Sequence, residues 1–460
     1  MKDKKEQLLK NDLVRLFFSL TIPSIMIGLV AGLYNLVDAI IVGQFIGPEA
    51  VGAVSLSYVL TLPNWAFTFC FGIGSASLLS IAVGANDKRT IRRIPGNIII
   101  LMGSLSLVIT VVMLLFAEPL ISFIGGDGEI LELGTDYLRI LCLGFPIISV
   151  ALGLNLLVRG EGRMKEVMIL VAISNIFNII LDYILIEPAG LGVRGAAIAT
   201  VISQLLALTL IVTYISKSNT RTKLRFKHIK PSFDLLPKVM KVGAPAAMIL
   251  LLMAVQQTMM FKILSAHGTN DDIILLSATF RLFTFLPILT KGIAEGMQPV
   301  VGTSYGAGDL ARTRKAYLTF SILGTILIIA PYAAVIGFPK AFLSMFITDP
   351  DIVGGGYTHF RLFFVSMILQ VAIFTTLYYF TSIGKGKQAG IIVMCRQLLF
   401  FVPLVLILPI FFGITGVWAV IPICDVIGLI IGISLIMKEF KGNEYRIKSK
   451  VSDKKEVNPA

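Results

Sequence analysis

Long apolar stretches alternate with short polar loops from near the start of the chain almost to its end. Each stretch is about twenty residues or more, the length that carries a helix across ~30 Å of hydrocarbon. Twelve are read, at 17–42, 52–83, 96–117, 136–158, 167–187, 194–215, 239–264, 273–303, 316–338, 358–382, 389–412 and 415–437. Irregular backbone cannot face lipid, so every one is predicted to be helical. The pattern divides the chain into a polar arm (1–16), six spans (17–215), a basic linker (216–238), six further spans (239–437) and a charged tail (438–460) that reads as disordered. The fold class is an all-α polytopic membrane protein.

Composition agrees, with 56% hydrophobic residues and a mean hydropathy of +0.87. The net charge of +13 changes the picture only through its placement. With both termini in the cytoplasm, nearly all Lys and Arg fall in loops on that side, and only Arg194 and Lys340 fall in loops on the other. Dispersed in this way they face anionic lipid headgroups, and nucleic-acid binding is not expected. The arm MKDKKEQLLKNDLVR is polar and the apolar run after it is too long for a signal peptide, so that run is read as the first span of a cell-membrane protein.

An internal repeat organises the spans. Pro23 and Pro245, Gly74 and Gly296, Gly84 and Gly306, and Asp87 and Asp309 are each 222 residues apart; Gly160 and Gly384, Gly162 and Gly386, and Gly192 and Gly416 are 224 apart. A six-helix unit used twice enters the membrane from the same side both times. The halves are then related by an axis along the membrane normal, with a substrate site between them.

Chemistry is sought in the polar residues inside the spans. Asp38 and Asp182 have no basic neighbour in sequence, and a charge at the bilayer centre costs roughly 2.5–3.5 kcal/mol on the insertion scale. Asn175, Asn178 and Asp182 fall on one helix face, as do Asn35 and Asp38. Carboxylate, amide and hydroxyl oxygens, with Thr200 as the hydroxyl, suit a small hard cation; the same carboxylates could instead hold a proton. Asn35 and Asn175 are equally explained as interhelical hydrogen-bonding residues. In the second half Lys291 and Glu295 can pair four residues apart, while Arg281, Arg396 and Asp425 would complete a nearly neutral network, and Gln256 and Gln257 would form a polar patch facing substrate. Cys70, Cys142, Cys395 and Cys424 are scattered without CxxC spacing, and His228, His267 and His359 lie in loops or at helix ends. Neither a disulfide, a histidine metal site nor an enzyme's catalytic set is expected, and no cofactor beyond a coupling ion.

The segments LVDAIIVGQFIGPEAVGAVSLSY, GANDKR, RGEGRMK, NIILDYILI, GVRGAAIATVIS, EGMQPVVGTSYGAGD, IGKGK and GITGVWAVIPICD resemble the MATE multidrug and toxin extrusion transporters, in the bacterial branch related to MepA and DinF. The resemblance implies two six-helix lobes forming a V-shaped cleft, and export of cationic or amphipathic drugs in exchange for sodium ions or protons; because the repeat already supplies both halves, a monomer is expected. It places the coupling-ion site at Asp38, Asn178, Asp182 and Thr200, with Asn155 as a further polar position of the fourth helix. Other branches carry an ion-coupling carboxylate in the seventh helix where this chain has Gln256 and Gln257. A flippase of lipid-linked substrates shares the wider superfamily, but it needs basic residues deep in the cleft. The first half is read as having none.

Overall fold

The computed structural model describes the backbone of residues 4–218, 220–224 and 231–456, with side chains described up to residue 442. Part of the basic linker, including Arg225 and His228, lies outside the described residues, as does 457–460. The described elements are helices joined by short turns.

Aspartate and threonine side chains start several of them. Asp12 accepts from the Val14 and Arg15 N–H groups (3.0 and 3.1 Å), Asp87 from those of Arg89 and Thr90 (both 3.1 Å), and Asp309 from that of Arg312 (2.8 Å). Thr269 and Asp272 cap reciprocally. Each satisfies donors that a helix leaves open at its first turn. Asp87 and Asp309 belong to the internal repeat, and this capping is what their matched positions do.

The first three spans are Leu13–Phe45, Pro48–Gly84 and Lys88–Leu115. The fourth is a pair, Gly128–Leu143 and Phe145–Gly160, bent by 50°. Met164–Ile186, Gly192–Lys217, Leu236–His267, Asn270–Gly306, Leu310–Gly337 and Pro350–Ser382 follow as the fifth to tenth. The last apolar helical run, Gly386–Gly442, has 57 residues, or about 85 Å at 1.5 Å per residue, far more than one crossing. It turns back at Gly413 (φ 57°, ψ −143°), a left-handed conformation that a residue without Cβ adopts readily. Beyond the turn, a Cβ on Gly416 would lie 2.4 Å from the Leu408 carbonyl. Two spans, the eleventh and twelfth, are therefore joined there.

Most helices run past the apolar windows, because capped polar turns continue them beyond the hydrocarbon. The third begins at Lys88, not 96. The last helix continues to Glu456, so the tail expected to be disordered is helical through that residue. The N-terminal arm forms a helix, Lys4–Lys10, laid across the face that bears both termini. Lys5 donates to the Gly84 carbonyl (3.0 Å) and Asn86 Oδ1 (2.6 Å), Leu8 is buried, and Arg312 donates to the carbonyls of Leu8 and Asn11.

Four large apolar clusters show where the halves meet. On the termini-bearing side, one joins Leu16, Phe17 and Ile25 to Ile293, Met297, Phe320 and Tyr378, and another joins Phe71 and Leu79 to Leu235 and Val239. On the opposite side the clusters separate. One is drawn only from the first half (Val42, Tyr137, Leu138, Ile186, Val193), the other only from the second (Leu276, Phe360, Phe363, Trp418). The two lobes are thus closed together on the face with the termini and parted on the other.

A candidate cation site in the first lobe

The fifth span packs against both the first and the sixth, and this brings the acidic positions together. Asp182 is fully buried, Asn178 and Thr200 are buried, and Asp38 is 9% exposed. The Asp38 and Asp182 carboxyl groups face each other closely enough to interact. Asp38 Oδ1, both oxygens of Asp182, and both polar atoms of the Asn178 amide have no hydrogen-bond partner. Buried polar groups are ordinarily paired, and leaving one unpaired costs about 1–3 kcal/mol, more for a charge. Four unpartnered oxygens on three residues, with the Thr200 hydroxyl beside them, form an all-oxygen donor set fitting a small hard cation. A proton shared between the two carboxyls would relieve the same repulsion. Among the described residues no group of three or more His, Cys, Asp or Glu gathers as a transition-metal site.

The site lies toward the parted face. Asp38 is seven residues from the end of its helix at Phe45, and Asp182 is four from Ile186. Two tyrosines missing from the sequence reading complete its wall: Tyr34, which interacts with both carboxylates and reaches toward Thr200, and Tyr137 from the fourth span. Tyr34 was findable, one turn before Asp38 on the same face. Tyr137 is brought in by tertiary packing alone.

Other expected positions fall elsewhere. Asn35 is exposed and donates to the Ala31 carbonyl of its own helix (2.9 Å), and Asn175 is only half-buried. Asn155 is buried with its Oδ1 unpartnered, but it sits five residues from Gly160, toward the closed face and away from the pair. Gln256 is buried and Gln257 half-buried on the seventh span.

The charged residues of the second half form two separate groups. Lys291 does lie near Glu295 (3.9 Å), yet the closest partner of Glu295 is Arg159 of the first half, with Ser24 and Tyr378 also donating to it. Arg159 is 8% exposed, which corrects the expectation that the first half has no deep basic residue. The fourth span continues to Gly160, so this arginine is on a helix between the lobes and not in a loop. Asp425, fully buried, accepts from Arg396 (2.6 Å), Ser366 (2.7 Å) and Gln370 (3.3 Å); Arg396 is carried by a π-turn, Cys395–Leu399. Arg281 takes no part in this network: it is exposed, and its helix face turns elsewhere.

Known proteins resemble this arrangement over nearly its whole extent. The multidrug export protein MepA of Staphylococcus haemolyticus is 26% identical over 446 residues, covering 94% of this chain and 96% of its own. MepA of Staphylococcus aureus is 27% identical over 428 residues, covering 91% and 93%. The outward-facing structure of a multidrug resistance MATE family transporter of the MOP superfamily superposes with a TM-score of 0.89 at 27% identity, covering 97% of this chain and 99% of that one. A MOP superfamily transporter from Pyrococcus furiosus, described as having a binding pocket of reverse polarity, superposes at 0.86 with 26% identity over 96% of this chain and 99% of its own. The MatE family model matches twice, at residues 23–184 and 245–407, starting 222 residues apart. The chain belongs to the MATE family.

Proposed function

We propose that the protein is a secondary active exporter in the cell membrane, moving cationic or amphipathic drugs out of the cytoplasm in exchange for sodium ions or protons. The observation that carries this reading is the Asp38–Asp182 pair, buried face to face with three of its four carboxylate oxygens unpartnered, toward the end of the helices on the parted side. A site that is electrostatically incomplete in this way is stabilised when a cation enters it. With the termini in the cytoplasm, the cation arrives from outside.

Drug and cation then favour different arrangements of the same two lobes. Asp38, Asn178, Asp182 and Thr200 hold the cation, the first helix repacks about Pro23, and drug leaves through the parted face. Loss of the cation to the cytoplasm resets the cycle. One charge moving through 100 mV supplies about 2.3 kcal/mol. Swinging a two-state equilibrium from 1:99 to 99:1 takes about 5.5 kcal/mol. A concentration gradient or a second ion must therefore contribute. The flippase reading has less support: a pyrophosphate calls for a cluster of basic residues in the cleft, and among the described residues Arg159 is held by Glu295, Lys291 lies beside the same carboxylate, and Arg281 stands alone.

The test is uptake of the organic cation ethidium into inverted proteoliposomes, driven separately by imposed sodium and proton gradients. Uptake driven by one ion and abolished in Asp38→Asn and Asp182→Asn is expected and would name the ion. Full coupling in both variants would remove the assignment.

A further inference from the structure

The first and eighth spans run antiparallel along the seam between the lobes, and close contacts fix their register. A Cβ placed on Gly296 would lie 3.1 Å from Thr21 Cα, on Gly292 2.7 Å from Ile25 Cγ1, on Gly28 2.5 Å from Ile288 Cγ2, and on Gly32 3.3 Å from Phe285 Cε1. The residue numbers of each pair add to 316 or 317, so position 281 falls opposite positions 35 and 36. Arg281 lies within about 40° of Phe285 and about 20° of Ile288 around its helix, on the stripe that faces the first span. The lobes have begun to part at this level: Asn35 and Arg281 are exposed, and Leu36 is 46% exposed.

Arg281 has no partner there. Among the described residues it makes no ion pair, hydrogen bond or ring contact. Its level is nine residues, about 14 Å, below the end of the first span at Phe45, too deep for its stem to carry the guanidinium to the surface. An intramembrane arginine without a counter-charge is costly on any scale. Asp38 does not supply the charge, since it is turned about 120° away from Gly32, into its own lobe toward Asp182. Glu295 is held by Arg159, and with Lys291 also beside it this part of the seam carries two cations for one carboxylate. Lys291 is 43% exposed, over the Phe69 ring at 4.8 Å.

We propose that Arg281 is an anion-recognising position on the second-lobe wall of the cleft, and that the cleft takes amphipathic molecules bearing a carboxylate or phosphate. The guanidinium suits either group through paired N–H donors, and the half-open seam offers apolar walls, Phe285, Ile288 and Leu36, for the rest of the ligand. The first lobe thereby holds the cation and the second holds the anionic group. This inference rests on the cleft being the substrate path, and its test needs no ion gradient.

The probes are rhodamine B, which carries a free carboxylate, and rhodamine B ethyl ester, titrated by fluorescence anisotropy against purified protein in phosphatidylcholine nanodiscs. Wild type is expected to bind the acid several-fold more tightly than the ester. Arg281→Gln should lose about tenfold affinity for the acid with little change for the ester, and Arg281→Lys should keep part of the preference. Equal binding of acid and ester by wild type would overturn the proposal, as would an equal loss of both in Arg281→Gln. Adding phosphatidylglycerol to the nanodiscs separates the sources. If it displaces rhodamine B from wild type, the natural anionic group is a lipid phosphate; if it leaves rhodamine B bound, the group belongs to a water-borne amphiphile. Such displacement failing to weaken in Arg281→Gln would count against Arg281 as the anchor. Ethidium export that persists while the acid preference is absent would leave the exporter reading standing and remove only this one.

Discussion

Gly84 and Gly306, 222 residues apart in sequence, lie backbone against backbone where the lobes meet. A Cβ on Gly84 would be 2.2 Å from the Thr303 carbonyl oxygen and 2.9 Å from the Gly306 carbonyl carbon, and one on Gly306 would be 2.1 Å from the Ile81 carbonyl oxygen. The atoms met are backbone, which cannot rotate away. Gly84→Val should therefore force the lobes apart on the termini-bearing face, with an overpacking cost of about 1–3 kcal/mol falling on this arrangement alone. Double electron–electron resonance between spin labels at Arg89 and Lys315, in a background without native cysteines, should show the distance distribution moving several ångströms outward. An unchanged distribution would mean that the glycine contact does not hold the face shut.

The Arg159–Glu295 pair ties the same seam together from within, both side chains being nearly enclosed at 9% and 12% exposure. Removing one partner of such a pair strands a buried charge, at a cost of about 3–5 kcal/mol. Because the partners belong to different lobes, parting the lobes readmits water and relieves the penalty. Arg159→Met should therefore shift the population toward the parted seam in the same spin-label measurement. Arg159→Met combined with Glu295→Met should recover most of the closed population, since replacing both charges with apolar groups of similar volume is close to neutral. A double variant as open as the single one would show that packing around the pair, not its charge, closes the seam.

These two contacts also mark how far the sequence could be read. Apolar length and charge placement were enough to locate the spans, and the constant offset exposed the repeat. Gly84 and Gly306 were visible as matched positions, but their function as a meeting point depends on how two distant helices cross. Asp38, Asn178 and Asp182 stood out because a polar residue in an apolar helix is conspicuous and helical spacing places it on a face. Tyr137 did not, because a tyrosine in a mixed segment is unremarkable until the fourth span packs against the second and sixth. Arg159 was misread for a related reason: its neighbours Gly160 and Gly162 signal a turn, and charge placement alone assigns an arginine beside them to the loop.

Asp87 offers a pH test outside the membrane. The hydrogen bond from the Thr90 hydroxyl (2.6 Å), with that from the Thr90 N–H, holds its carboxylate below the ordinary range. A group whose folded pKa is depressed contributes stability that is fully present above its unfolded value, near 3.9, and is lost as pH falls through the folded value. The start of the third span should be firmly closed at about pH 6 and fray only in strong acid. Asp87→Ala should fray it at both, at a cost of about 1 kcal/mol. Hydrogen exchange at the Arg89, Thr90 and Ile91 amides reads this directly. Protection that fails to drop in Asp87→Ala would mean that the cap does not secure this helix start.

The two acidic residues of the first lobe should behave as one unit. Asp38 and Asp182 face each other with Asp38 Oδ1 and both Asp182 oxygens unpartnered, so each supplies donors that are useful only while the other is present. Effects of residues sharing one site do not add. If Asp38→Asn and Asp182→Asn each weaken cation binding by about a hundredfold, roughly 2.7 kcal/mol, independent sites would give about ten-thousandfold for the pair. A shared site should give a double variant little worse than either single one. Thr200→Val, which removes one neutral donor and leaves both carboxylates, should cost only about tenfold. Isothermal titration calorimetry with sodium at neutral pH, repeated under acidic conditions to let protons compete, measures the four variants and the unsubstituted protein on one scale. Additive losses would place the two carboxylates in separate sites and remove the shared cation from the transport cycle proposed for this chain.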